Sequence, residues 1–153
     1  MTDTVDRQTA APVVRTVHVR CEPERAFAVF TERITDWWPL QQYGLFEADT
    51  LGVWFEGERL VERSTSGEEG VWAEVLEWSP PTRLALSWRP GRPPADGTVV
   101  EVEFIAEDDG TRVVLSHHGW ERLGDRAAEA RAAYDGGWLP VLEVYCVLVD
   151  REG

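Results

Sequence analysis

The chain has 153 residues, the size of one ordinary domain, enough to bury about two-thirds of its unfolded surface around a single core. Its 28 acidic against 15 basic residues give a formal charge of -13, which disfavours nucleic acid and anionic membrane surfaces and favours a neutral, cationic or apolar partner. No run of about 18 apolar residues occurs and Met1 to Pro12 is polar, so neither a membrane span nor a secretory signal is expected, and the expected location is the cytoplasm.

Residues 1–12 carry no apolar pattern and read as a disordered tail, leaving 13–153 as one domain. Val13 to Cys21 alternates, with Val17, Val19 and Cys21 on one face and His18 on the wet side, so a half-buried strand is expected. Pro23 suits a first helical turn, and Ala26, Phe27 and Phe30 follow at helical spacing to Thr31. A second short helix over Glu32 to Trp38 should stop before Pro39. Gln41 to Asp49 has no clean period and reads as a loop beside the pair Trp37 and Trp38.

A meander follows. Val53 to Glu56 and Arg59 to Ser64 flank the turn Gly57-Glu58, Val71 to Trp78 is a longer strand after a Gly-rich turn, and Pro80-Pro81 leads into Arg83 to Trp88. Arg89 to Gly97 is an irregular loop. Thr98 to Ala106 alternates most clearly, with Val100, Val102 and Phe104 inward, and Asp108-Asp109-Gly110 turns it into Thr111 to His118, which puts His117 inward. From Gly124 to Gly153 an apolar stripe of Tyr134, Trp138, Val141, Leu142, Tyr145 and Leu148 recurs at helical spacing, although the valine-rich Val141 to Val149 would also suit a buried strand. Gly136, Gly137 and Pro140 suggest two helical pieces or one kinked helix, the second starting near Asp135 so that Pro140 falls in its first turn. Short connections between the strands imply an antiparallel sheet with helices on one side, an α+β domain.

Eight tryptophans, at 37, 38, 54, 72, 78, 88, 120 and 138, imply either a large core or an apolar cavity with few polar contacts. Cys21 and Cys146 lack partners at metal-ligand spacing and read as reduced, buried thiols. No phosphate loop, zinc cluster or nucleophile elbow occurs, so no metal or cofactor is indicated. His117 is the best single candidate for acid–base chemistry, against the plainer reading of a satisfied core histidine. Glu62 reads either as an inward carboxylate or, more simply, as a solvated one paired across strands.

Phe27-Ala28-Val29-Phe30-Thr31-Glu32, Trp37-Trp38-Pro39, Val75 to Pro81 leading into Arg83 to Trp88, Leu115-Ser116-His117-His118-Gly119-Trp120 and Gly137-Trp138 occur in that order. Together they resemble the activator of heat-shock-protein-90 ATPase homologue family, within the START-like or SRPBCC superfamily that also holds polyketide cyclases. The resemblance spans about Val13 to Val149. It implies a helix-grip fold, a curved antiparallel sheet wrapped around a long C-terminal helix with an apolar cavity between, and so makes Val141 to Val149 helical. No family catalytic motif transfers.

The leading expectation is a binding protein for a small apolar or aromatic molecule, lipid- or polyketide-like, in a cavity lined by some of Trp37, Trp38, Trp54, Trp72, Trp88, His117, Tyr134, Trp138, Leu142 and Tyr145. The alternatives are a cyclase or hydrolase using His117 with Glu62 or Tyr134, and a chaperone-type module that binds a protein partner or a second copy of itself.

Overall fold

The computed structural model describes residues 11–40 and 44–152. Most of the expected tail, residues 1–10, and residues 41–43 of the expected loop lie outside them. Seven strands form one antiparallel sheet: β1 Val13–Val19, β2 Thr50–Glu56, β3 Arg59–Ser64, β4 Glu69–Ser79, β5 Arg83–Trp88, β6 Thr98–Glu107 and β7 Gly110–His118, in the order β1-β7-β6-β5-β4-β3-β2. Helices α1 Pro23–Glu32 and α2 Ile34–Trp37 connect β1 to β2, and the long α3 Ala127–Glu152 closes the chain. Short 3-10 turns occupy Glu47–Asp49, Pro94–Asp96 and Trp120–Arg126. This is the α+β helix-grip arrangement, and the Arg89 to Gly97 loop is irregular except for the turn at Pro94–Asp96.

The sheet curls because it is bulged. One extra residue sits in β4 at Trp72, between the pairs Leu60↔Ala73 and Val61↔Val71, and another at Leu76, between Val75↔Leu86 and Glu77↔Ala85. A third falls at Leu51 in β2. Each bulge adds local twist and bends the strand, so the sheet wraps instead of lying flat. The pairs between β6 and β7 are regular, and their inward residues Val100, Val102, Phe104, Val113, Leu115 and His117 are all buried.

α3 runs unbroken through Gly136, Gly137 and Pro140, so the joint expected there is absent. The non-helical residue lies earlier, at Gly124 (φ 57, ψ -123), just ahead of α3. An interior proline costs roughly 3 kcal/mol, since it withholds an amide and crowds the preceding turn. Against that, Trp138, Val141, Leu142, Tyr145 and Val149 are all buried, at about 1.5 to 3 kcal/mol for each aliphatic side chain and more for the aromatics. Packing wins, and the helix persists. The Tyr145 hydroxyl donates to the Ala26 carbonyl at 2.7 Å, tying α3 to α1.

Gly136 is exposed and a methyl group there would meet nothing within 4 Å. Gly136→Ala should therefore stabilise the protein by about 0.5 to 1 kcal/mol through helix propensity alone. Thermal unfolding should show a rise of a few degrees; an unchanged or lower midpoint would show that the helix needs glycine at this position.

Candidate functional site

Four indoles converge: Trp38 just after α2, Trp72 on β4, Trp88 at the end of β5 and Trp138 in the middle of α3. Trp38 is the hub, its ring centre 5.0 Å from Trp72, 5.8 Å from Trp88 and 5.6 Å from Trp138. These rings, with Tyr134 and Val141, wall a half-open cleft of about 300 Å³, and the small residues Pro90, Ala133 and Gly137 complete it. Behind the quartet the space between sheet and α3 is filled: the residual void there is only about 10 Å³. The available space is therefore a cleft beside α3, where Ala133 and Gly137 leave room, and not a large chamber beneath it.

Three of the four indole N–H groups are committed to protein acceptors. Trp72 donates to Glu62 Oε1 at 2.8 Å, Trp88 to the Tyr134 hydroxyl at 3.0 Å, and Trp138 to His117 Nδ1 at 3.0 Å. Trp38 Nε1 is buried with no acceptor among the described residues. The Tyr134 oxygen accepts from Trp88, which leaves its own proton free to donate. Burial holds the Tyr134 hydroxyl above the usual phenol range, so it remains a donor near neutral pH. The polar capacity left over on the cleft wall is thus two donors, the Trp38 indole N–H and the Tyr134 hydroxyl, and its lining holds neither a carboxylate nor an imidazole.

His117 lies behind this wall, fully buried, and its hydrogen bonds fix its state. An indole can only donate, so His117 Nδ1 accepts from Trp138, and the proton of the neutral ring belongs on Nε2, which donates to Thr98 Oγ1 at 2.7 Å. The Thr98 hydroxyl then donates to the Trp88 carbonyl at 3.3 Å. Burial lowers the His117 pKa to about 3, with the neighbouring His118 adding to the effect. Both ring nitrogens are occupied and the ring does not reach the cleft. Its geometry is that of a residue that positions Trp138 and not of an acid or base facing a ligand.

Glu62 is not solvated. It is completely buried, with Oε1 accepting from the Leu45 amide at 2.8 Å and from Trp72, and Oε2 accepting from the Phe46 amide at 3.1 Å and the Thr50 hydroxyl at 2.6 Å. Four donors hold one carboxylate, which anchors the turn before β2 to the cleft wall through Trp72. Of the two readings of Glu62 from the sequence, the inward carboxylate is the one found: it lies two residues from the buried Leu60 on β3 and shares its face.

Of the residues expected around a cavity, Trp38, Trp72, Trp88, Tyr134 and Trp138 are brought together on the cleft. Trp37, Leu142 and Tyr145 are core: Trp37 donates to the Val29 carbonyl at 3.3 Å and packs on Phe30 and Tyr145. Trp54 is only half buried and belongs to a separate groove with Phe55 and Trp78, the Arg63 guanidinium 5.8 Å from its ring. Cys21 and Cys146 are free and half buried, less buried than expected, and burial raises both thiols, Cys146 to about 11. The cleft residues missed from the sequence are Pro90, Ala133, Gly137 and Val141. On α3 their signal was the four-residue spacing of Ala133, Gly137 and Val141, which marks room on a face and not a side chain with chemistry, whereas Pro90 in the loop after β5 carried none. Among the described residues, no group of acids, histidines or cysteines is placed to hold a metal ion, and no helix is long and apolar enough to cross a membrane.

The model of the family described as activator of Hsp90 ATPase homolog 1-like protein matches residues 20–143. The chain belongs to that family. Among solved structures, this Hsp90-activator-homolog protein is similar to Txn09, an anthrahydroquino-gamma-pyrone synthase, with 35% identity over 90% of this chain and 96% of that one at a TM-score of 0.62. CalC, a self-sacrificing resistance protein from Micromonospora echinospora, is 24% identical over 95% of this chain and 97% of its own, with a TM-score of 0.70. The Aha1 dimer from Colwellia psychrerythraea shares 15% identity over 92% and 96% of the two chains, with a TM-score of 0.62. The last two share the fold. No curated protein matches the chain.

Proposed function

We propose that this family member binds a planar aromatic molecule of polyketide type in the tryptophan cleft. The observation that carries the reading is the wall itself: four indole rings and a tyrosine around about 300 Å³, a volume at the lower end for small-molecule sites. Flat aromatic surfaces favour stacked or edge-on contact with flat ligands, and the free Trp38 and Tyr134 hydrogens suit a ligand that carries oxygen acceptors. The likeness to Txn09, whose name describes a fused aromatic product, supports the same class.

Gly137 provides the test, because it lines the cleft and a Cβ added there would meet nothing within 4 Å, so a larger side chain can begin without a clash. Gly137→Leu should leave the fold intact and weaken binding of a neutral methylanthraquinone, measured by equilibrium dialysis, by about tenfold or more. Unchanged affinity in the folded variant would place the ligand elsewhere.

A second reading, ring closure of a polyketide chain, is favoured by the Txn09 identity. In that reading the cleft contributes mainly by confining the chain in a folded shape. Tyr134 is the one side chain on its wall with a free hydroxyl proton to give to a developing oxyanion. The chain contains no lysine, so covalent capture of a ketone as a lysine imine is not available to it.

A further inference from the structure

A second recess of about 310 Å³ adjoins the tryptophan cleft and shares Trp88, Pro90, Ala133 and Tyr134 with it. Its character is different. Three guanidinium groups, from Arg89, Arg92 and Arg126, line it against two carboxylates, Asp96 and Glu129. In a chain of formal charge -13 this gathers three cations that Asp96, Glu129 and the Glu74 beside Arg89 only balance, and all three are arginines, whose planar fork matches a carboxylate.

Internal pairing leaves donor capacity over. Arg126 takes both oxygens of Asp96, at 3.1 and 3.3 Å, whereas Arg92 approaches the same carboxylate only to 4.0 Å. Arg89 is nearly buried, held by Glu74 at 2.7 Å and by the Arg92 carbonyl at 2.8 Å, and its Nε has no acceptor. Among the described residues, buried side-chain donors or acceptors without a partner occur only at Arg89 Nε and Trp38 Nε1. One belongs to each of the two joined recesses. A buried donor left without an acceptor is costly, and each of these lies on a side chain that lines one recess, where a small rotation would bring it to an acceptor atom of a ligand.

We infer that the two recesses form one site for an anionic aromatic molecule, its rings among the tryptophans and its carboxylate among Arg89, Arg92 and Arg126, with the Tyr134 hydroxyl between. This rests on the aromatic-binding reading above and adds the acid group. Neither orphan nitrogen has open surface, so entry of the ligand carries a small shift of the Trp38 and Arg89 side chains.

The experiment compares anthraquinone carboxylate with neutral methylanthraquinone by equilibrium dialysis. The wild-type protein should bind the carboxylate about tenfold more tightly, the worth of one charge-assisted pair, and added salt should shrink the difference. Arg92 and Arg126 are both half exposed, so the double variant Arg92→Gln/Arg126→Gln should fold, which far-ultraviolet circular dichroism checks. Its preference should fall to about twofold or less, with the neutral probe as internal reference. Equal affinity for the two probes in the wild type, or a preference that survives in the double variant, would overturn the acid-binding role and leave the aromatic cleft standing. Failure of both probes to bind would remove both readings.

Discussion

Replacing Glu62 by alanine should cost this protein about 3 kcal/mol or more and lower its unfolding midpoint by roughly 10 °C. The side chain accepts four hydrogen bonds, from two backbone amides, one hydroxyl and one indole, and it is completely shielded from water. Removal strands the amides of Leu45 and Phe46, the Thr50 hydroxyl and the Trp72 indole together, and each stranded donor carries its own desolvation penalty. Glu62→Gln keeps the shape but turns an NH2 group toward donors, so it should lose most of the same stability. Urea unfolding of the two variants beside Glu103→Gln on the exposed part of β6 separates the effect from simple loss of charge. A Glu62→Gln protein within about 0.5 kcal/mol of wild type would show that the four bonds contribute little. Because Trp72 is one of the four donors, the same variants should also weaken ligand binding in the cleft.

Acid should destabilise the fold already between neutrality and pH 5. His117 takes up a proton only near pH 3 in the folded protein but near 6.5 when unfolded, so the unfolded chain binds more protons throughout the interval. The sign follows: this contribution is fully present above about 6.5 and is lost as pH falls toward 3, at about 1.4 kcal/mol per unit. Between neutral pH and pH 5 the loss from this residue is about 2 kcal/mol. The physical reason is burial of the ring away from water, to which the neighbouring His118 adds; a proton on Nδ1 would also face the Trp138 indole N–H, donor against donor. His117→Gln, which keeps an acceptor and a donor, should flatten the dependence over the same interval. A wild-type stability that is level from neutrality to pH 5 would mean that the ring reaches water on protonation. Since the folded protein keeps His117 neutral down to about pH 3, the Trp138 side of the cleft is unchanged over this interval, and the ligand affinity of the folded protein should stay level while its stability falls.

The regular half of the sheet was legible because its chemistry is periodic. Val100, Val102 and Phe104 alternate with charged residues, and a sequence with period two can bury only one face, so His117 was placed inward without further information. Across β3 and β4 the same reasoning was weaker, because an extra residue at Trp72 breaks the alternation of β4, where Trp72 and Ala73 are both buried, and because β3 buries Leu60, Val61 and Glu62 in succession, covered on both faces. A bulge leaves no residue-type signature in this stretch. The continuity of α3 was illegible for another reason: Pro140 and its two glycines are local signals, whereas the burial that outweighs them comes from partners 21 to 119 positions away, among them His117, Trp88 and Ala26. In the site, residue type was informative and grouping was not. Eight similar indoles were visible, but which four share a wall depends on the sheet's curl, and the arginine recess joins residues 89 to 96 to residues 123 to 134, a proximity that only the fold creates.

The four indoles of the cleft lie with neighbouring ring centres 5.0 to 5.8 Å apart. At such separations the electronic transitions of the rings no longer behave independently. Their dipoles couple, light absorbed by one is shared among all, and the fixed tilts between them make the shared transitions strongly chiral. An electron-poor quinone seated against any single ring would then draw charge from the excited state of the whole quartet. The cleft is in this sense its own chromophore, and it responds as a unit to whatever touches it.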